Sequence, residues 1–308
     1  MALSVASAIP EHYIRTFEKN WNHVIQQEQS KLRDKVIVRE FEGKELLLTD
    51  LEEVSFTERT GRLTASTPEE VTAHKRKLTK RDFKCQIIFD RKDSELLGQL
   101  SVPQSETMEA MKMAWNRLVD EKIIGAASAT VYGGTEATSY STAITLPSTQ
   151  QVAVDYVPAG GTPANSGLTP EKIIAARKIY KENDFMPAEL DLYIALSPED
   201  EEFLETYIKA SGNDVWANRL AEYEKGGKLF GFNVVCTNRL THNTSTDIET
   251  AVTWCKQKGI IVAPERMSIQ VDTRPDLDHA IMISAYADYG FARRYEKGVV
   301  EIAADHSP

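Results

Sequence analysis

Asp276-Leu277-Asp278-His279 has the best claim to bind a metal, because it offers carboxylate oxygens and an imidazole side by side. It falls, however, where a hairpin turn is expected, and Asp in a turn commonly bonds its own backbone, so no metal site is assigned. Arg293-Arg294, beside Glu296 and Lys297, reads as an exposed or interfacial charge cluster in preference to a phosphate site. Gly160-Gly161 and Gly167 invite comparison with a phosphate loop, but no Gly-Lys-Ser/Thr follows. HExxH, GxSxG and GxGxxG are absent, and the six histidines are scattered. Cys85, Cys236 and Cys255 are odd in number and far apart, which gives neither a disulfide framework nor a CxxC metal site and fits a reducing compartment. Cys85 and Cys236 lie in apolar stretches and are expected in the core. Asn243-Thr244-Ser245 matches a glycosylation acceptor but reads as a loop. No catalytic, cofactor-binding or metal residue is assigned.

The elements available to position side chains are clearer. Ser105–Ser128 keeps a helical period through Met108, Met111, Trp115, Val119, Ile123 and Ala126, which stacks them on one face of a spine on the order of 35 Å long. Ser105 is expected to cap it and Tyr132-Gly133-Gly134 to stop it. Before it, Tyr13 to Ile25 is a short amphipathic segment running into the charged stretch Lys31–Lys35. VIVREF, Glu42-Gly43 and ELLL predict a hairpin, and VSFTE a strand. Thr57–Lys84 is basic and poor in apolar residues, with Arg59, Arg62, Lys75, Arg76, Lys77, Lys80, Arg81 and Lys84 against Glu58, Glu69, Glu70 and Asp82. That pattern predicts a hairpin projecting from its own domain, and because a lone two-stranded ribbon is marginal in water, another surface must hold it.

After the spine, helices are predicted from Pro170 to Asn183, from Pro198 to Ala210, over Asp214–Lys225 and over Asp247–Lys258, with Gly259 as a stop. They alternate with strands at Leu190–Leu196 and Lys228–Thr237, giving a compact α/β part. Strands at Met267–Thr273, Ala280–Ala287 and Gly298–Ala303 close the chain as a sheet placed to pack on the spine.

The 308 residues are 42% hydrophobic and 27% charged, which suits a globular α+β protein of two or more domains. No apolar run reaches the length of a bilayer span, and no secretory leader is recognisable, so no membrane partner is expected. A formal charge of −10 argues against general nucleic-acid binding.

The order of parts resembles the major capsid proteins of tailed bacteriophages, which share the Hong Kong 97-like fold. More specifically it resembles a phage capsid family through Arg59-Thr60-Gly61-Arg62, Thr67-Pro68, Lys75-Arg76-Lys77 and Arg81-Asp82-Phe83. Val119-Asp120-Glu121-Lys122-Ile123-Ile124, the Gly231-Phe232 to Asn238 strand, and Gly290, Arg293 and Val299-Val300-Glu301-Ile302 extend the likeness. The resemblance implies an N-terminal arm (1–35), an extended loop with flanking strands (36–89), a peripheral domain with the spine helix (90–130 and 261–308) and an inserted axial domain (131–260). It also implies a non-enzymatic subunit that assembles in the host cytoplasm into an icosahedral virion shell of pentamers and hexamers. The shell would enclose double-stranded DNA without reading its sequence. Portal and cementing proteins are possible partners. The arm is too short for a large built-in scaffolding domain, which leaves a separate scaffolding protein or none. Arg59, Arg62, Lys75, Arg76, Lys77, Arg81, Arg293 and Arg294 are the residues expected to contact neighbouring subunits. Competing readings are a bacterial nanocompartment shell and a cytosolic α/β enzyme whose Ala159–Gly167 loop binds a small anion.

Overall fold

The computed structural model describes residues 26–51, 54, 56, 58, 61, 73–89, 104–158, 161–184, 191–277 and 279–306. They fall into two compact units. The smaller lies within Met1–Glu28, Lys84–Trp115 and Met267–Tyr286, and the larger within Gln29–Phe83, Asn116–Arg266 and Ala287–Pro308.

The spine is helix α1, Gln104–Ser128. Of its predicted stripe, Met111, Trp115, Val119, Ile123 and Ala126 are buried and Met108 is half-buried. In the smaller unit Met108 and Met111 pack with Ile87 and Phe89 and with Ile283 and Ala285, apolar residues of two long strands. The helix begins one residue before Ser105, so that serine lies inside the first turn and is not its cap. The helix also stops before Tyr132-Gly133-Gly134, which belong to a strand.

One sheet is built from β1 (Ile37–Val38), β2 (Glu45–Leu51), β3 (Ala73–Phe89), β4 (Val131–Gly134) and β5 (Thr142–Ile144). It is completed by the later strands β11 (Ile260–Val262), β12 (Arg266–Arg274) and β13 (Ala280–Arg293). The order is β1-β11-β13-β3-β4-β5, with β2 on β3 and β12 on β13. The expected hairpin between VIVREF and ELLL does not form. β1 instead runs parallel to β11, with Ile37 opposite Ile261, while β2 pairs antiparallel with β3 from Glu45↔Thr79 to Leu51↔Ala73. Val54 and Phe56 lie outside any strand. Gly133 allows β4 to approach β3 closely, since a Cβ there would sit 2.4 Å from the Lys75 carbonyl oxygen.

The second sheet, in the larger unit, has the order β6-β14-β10-β7-β8 with β9 on β10. Its strands are β6 (Gln151–Val152), β7 (Leu192–Leu196), β8 (Asn233–Cys236), β9 (Thr241–Asn243), β10 (Ile248–Cys255) and β14 (Val299–Asp305). Helices α2 (Pro170–Glu182), α3 (Pro198–Ser211) and α4 (Asp214–Glu224) contribute Ile173, Ala176, Tyr180, Leu204, Ile208 and Leu220 to its core. The predicted helix over Asp247–Lys258 is therefore overturned. Ile248, Ala251, Val252 and Cys255 keep helical spacing, but β10 runs between β14 and β7 with Ala251 to Cys255 all buried, where β-branched residues pack best. The closing strands also divide: β12 and β13 lie in the first sheet, β14 in the second.

Candidate assembly surface

The basic stretch that looked unable to fold back does fold back over its second half. Leu78 is fully buried in a cluster with Val131, Ile261, Ala263 and Ala292, and Leu46 and Leu48 pack against that cluster from β2. Flanking cations find partners within the larger unit. Lys75 lies 5.3 Å from the Tyr140 ring centre, Lys77 pairs with Glu45 at 2.7 Å, and Arg81 stacks 4.9 Å over Phe291. Arg76 pairs with Glu296 at 2.5 Å and faces Asp50 at 3.9 Å. Arg294 pairs with Asp50 at 2.5 Å, and the Tyr295 hydroxyl donates to the same carboxylate at 2.8 Å. Burial alone would raise Glu296, but Arg76 outweighs it and holds the carboxyl below its usual range. The result is a knot joining β2, β3 and the segment after β13. Arg59 and Arg62 lie outside the described residues.

Arg293 is a clear departure from an exposed cluster, because its side chain is fully buried. Its guanidinium donates to the carbonyls of Ala127 at 2.6 Å, Ala129 at 3.0 Å and Ile144 at 3.2 Å. It thereby satisfies acceptors that a helix end leaves open and places a cation at the negative end of α1.

Apolar side chains also face outward here. Beside the knot, β2 hydrogen-bonds only to β3 among the described residues and leaves its other edge unpaired. Leu51 is 73% exposed, Val54 61%, and Phe56 fully so. Such an edge with apolar residues beyond it is a template for another chain.

The enzyme-like features do not converge. The Arg274 side chain holds Asp276 at 2.7 Å, and Asp278 lies outside the described residues. Gly167 packs on the Phe203 ring, and residues 159 and 160 lie outside the described residues. Cys85 is exposed and Cys236 half-buried, contrary to the expected core positions: an apolar stretch does not bury every residue of its strand, and Cys85 is left open although Ile87 and Phe89, in phase with it on β3, pack in a core cluster; Cys255 is buried. Among the described residues, no helix is long and apolar enough to cross a membrane.

A sequence profile described as phage capsid protein matches residues 9–306. The chain belongs to the phage capsid protein family. Its role is that of a major capsid protein, a structural component of the virion shell that associates with copies of itself. The solved capsid of Cyanophage P-SCSP1u is 17% identical, with a TM-score of 0.66 over 96% of this chain and 94% of its own. The capsid of Ralstonia phage GP4 is 12% identical, with a TM-score of 0.68 over 100% and 99%. The capsid of a native GTA particle is 12% identical, with a TM-score of 0.63 over 99% and 100%. At these identities the likeness is one of fold, and the fold is Hong Kong 97-like. No curated protein matches in sequence.

Sequence reasoning about this capsid protein missed the purpose of Asp120, although the residue sits in one of the motifs carrying the family likeness. Its carboxylate is fully buried on α1 and accepts from the Ser30 hydroxyl at 2.5 Å and from the backbone N–H groups of Lys31 at 2.9 Å and Leu32 at 3.2 Å. Leu32 is itself fully buried, and the Trp254 indole donates to the Lys35 carbonyl at 2.8 Å. The charged run Lys31–Lys35 is thus fastened to the body at its start and its end. A lone Asp amid the Val119 and Ile123 stripe was the available signal, since a carboxylate beside an apolar face needs donors.

Proposed function

We propose that this capsid protein assembles as pentamers and hexamers into the icosahedral shell of a tailed phage, enclosing double-stranded DNA without sequence-specific contacts. The role is structural, with no catalytic step. Assembly takes place in the host cytoplasm, with separate scaffolding, portal and cementing proteins as further partners. The observation that carries this reading is the unpaired β2 edge leading to exposed Leu51, Val54 and Phe56. Burying a side chain of this kind is worth roughly 1.5–3 kcal/mol, and a closed shell repeats that gain at every copy.

Arg59, Arg62 and the solvent-facing parts of Lys75, Lys77 and Arg81 contact neighbouring subunits. Arg76 and Arg294 act from behind it, stiffening its base through Asp50 and Glu296. Arg293 contributes only by holding the end of α1. The test is double charge reversal, Arg59→Glu with Arg62→Glu. Particle yield should fall by an order of magnitude or more while the circular dichroism of the unassembled protein is unchanged. Undiminished yield would refute the contact assignment, and particles filled with protein cargo instead of nucleic acid would refute the genome-enclosing role.

A further inference from the structure

We propose that His306 is a proton-operated latch, fastening the segment that leaves β14 to the start of α3 only while both ring nitrogens carry protons. Its Nδ1 lies 2.9 Å from Glu199 Oε2 and 3.7 Å from Glu249 Oε2, and its Nε2 lies 3.0 Å from Asp200 Oδ1. The ring is about nine-tenths buried, Asp200 fully so, and Glu249 nearly so. A neutral imidazole has one N–H and one lone pair. Placed here, it would turn that lone pair onto a carboxylate oxygen, exchanging a charge-assisted bond for a repulsion. Only the imidazolium fits both sides.

The latch fixes more than its own side chain. The His306 N–H donates to the Asp247 carbonyl at 2.9 Å and the Asp305 N–H to the Ser166 carbonyl at 3.0 Å, so two backbone bonds depend on the segment staying docked. On the other side, Asp200 is already the partner of Ser197 in the capping box of α3, where Ser197 Oγ accepts from the Asp200 N–H at 3.1 Å. His306 uses the remaining carboxylate oxygen and thereby ties the segment after β14 to the first turn of α3. A cavity of about 410 Å³ lined by Ser197, Glu199, Asn238, His242, Glu249 and His306 opens beside the ring, so proton exchange with solvent needs no unfolding.

The charged surroundings favour the proton. Glu199 and Asp200 face the ring from α3 and Glu249 from β10. His242 on β9 is occupied by Asp247 at 2.9 Å, and Asp305 precedes the latch on its own strand. Lys172 on α2 is the nearby cation, set against Asp200 and Asp305. Burial alone would lower His306, but Glu199, Asp200 and Glu249 together outweigh it, and its pKa stands above the ordinary 6.5. A histidine raised by folding contributes stability that is complete below pH 6.5 and lost as pH climbs through the folded value. Glu249 is raised by burial first, eased by Ser197 and reinforced by Asp200. It acts in the same direction, with a window that opens from its ordinary 4.5. Lys172, lowered by burial to about 8, works in the opposite sense.

The experiment is hydrogen exchange on the full chain at pH 6, 7.5 and 9, corrected for intrinsic rates, following the amides of Asp305 and His306. Wild-type protection should fall roughly tenfold from pH 6 to pH 9, the scale of one charge-assisted hydrogen bond. His306→Asn should be weakly protected throughout and show no such fall, while the core strand β7 stays protected in both. Because Lys172 is present in both proteins, the difference between them isolates the imidazole. Glu199→Gln, at an exposed position, should move the wild-type transition to lower pH and serves if the asparagine variant folds poorly. Protection that is flat from pH 6 to pH 9, an equal fall in His306→Asn, or collapse on adding EDTA at pH 6 would each overturn the latch.

Discussion

Replacing Asp120 by Ala removes the acceptor for three donors at once, the Ser30 hydroxyl and the N–H groups of Lys31 and Leu32. The Leu32 N–H is buried and has no replacement partner, so it incurs the full cost of an unsatisfied group, about 1–3 kcal/mol. Ser30 and Lys31 are only partly buried and water can reach them, which limits their combined loss to about 1–2 kcal/mol. The expected destabilisation is therefore about 3 kcal/mol. With a urea m-value of about 3 kcal/mol/M for a chain at the upper end of the usual range, the midpoint should drop by about 1 M. Asp120→Asn keeps one acceptor oxygen and should lose about half as much. The assay is equilibrium urea unfolding of the unassembled protein, read by Trp fluorescence, since Trp254 lies over the same arm through Lys35. A change below about 0.5 kcal/mol for Asp120→Ala, the size of a neutral surface substitution, would refute the claim that this carboxylate anchors residues 30–32.

Arg293→Met should cost about 3 kcal/mol in thermal unfolding, because it strands the carbonyls of Ala127, Ala129 and Ile144, and Arg293→Lys should recover only part of that. The glycines of the spine region should respond with opposite signs in the same assay. Gly125→Ala meets nothing within 4 Å inside α1 and should stabilise by about 0.5–1 kcal/mol, whereas Gly133→Ala collides with the Lys75 carbonyl and should destabilise by about 2 kcal/mol or more. Lys172 donates to the carbonyls of Val154, Ser166 and Ala303, and its pKa is lowered by burial to about 8. A lysine depressed by folding penalises the native state while charged. Relative to Lys172→Met, the wild type should therefore gain stability as pH rises from about 8 towards 10.5 and lose that gain on return, measured by urea midpoints across the range.

How legible the fold was depended on whether a local pattern had one physical solution. α1, a helix of 25 residues, keeps an apolar stripe from Met108 to Ala126 at a spacing that no strand can use, and α2 and α3 carry Pro at the first helical position after Thr169 and Ser197. β10 was misread because Ile248, Ala251, Val252 and Cys255 satisfy a helical period, while the strands that pair with both its edges come from residues 192–196 and 299–305. The charge knot was illegible for a related reason. Arg76 meets Glu296 across 220 residues and Arg294 meets Asp50 across 244, so the local sequence shows unpaired cations where the structure has pairs. The basic stretch was correctly read as short of apolar residues. The inference that it must leave the body failed for 73–83, where Leu78 and the cross-sheet pairs supply what the segment lacks.

The most direct measurement of the central claim is electron microscopy of the purified, expressed chain combined with its mass in solution. The account predicts rings of five or six subunits, or closed shells of uniform diameter, in which the β2 edge and Phe56 are covered by a neighbouring copy. A monodisperse 34.5 kDa particle that forms no rings or shells at any protein concentration, with Phe56 fully accessible to solvent, would contradict it.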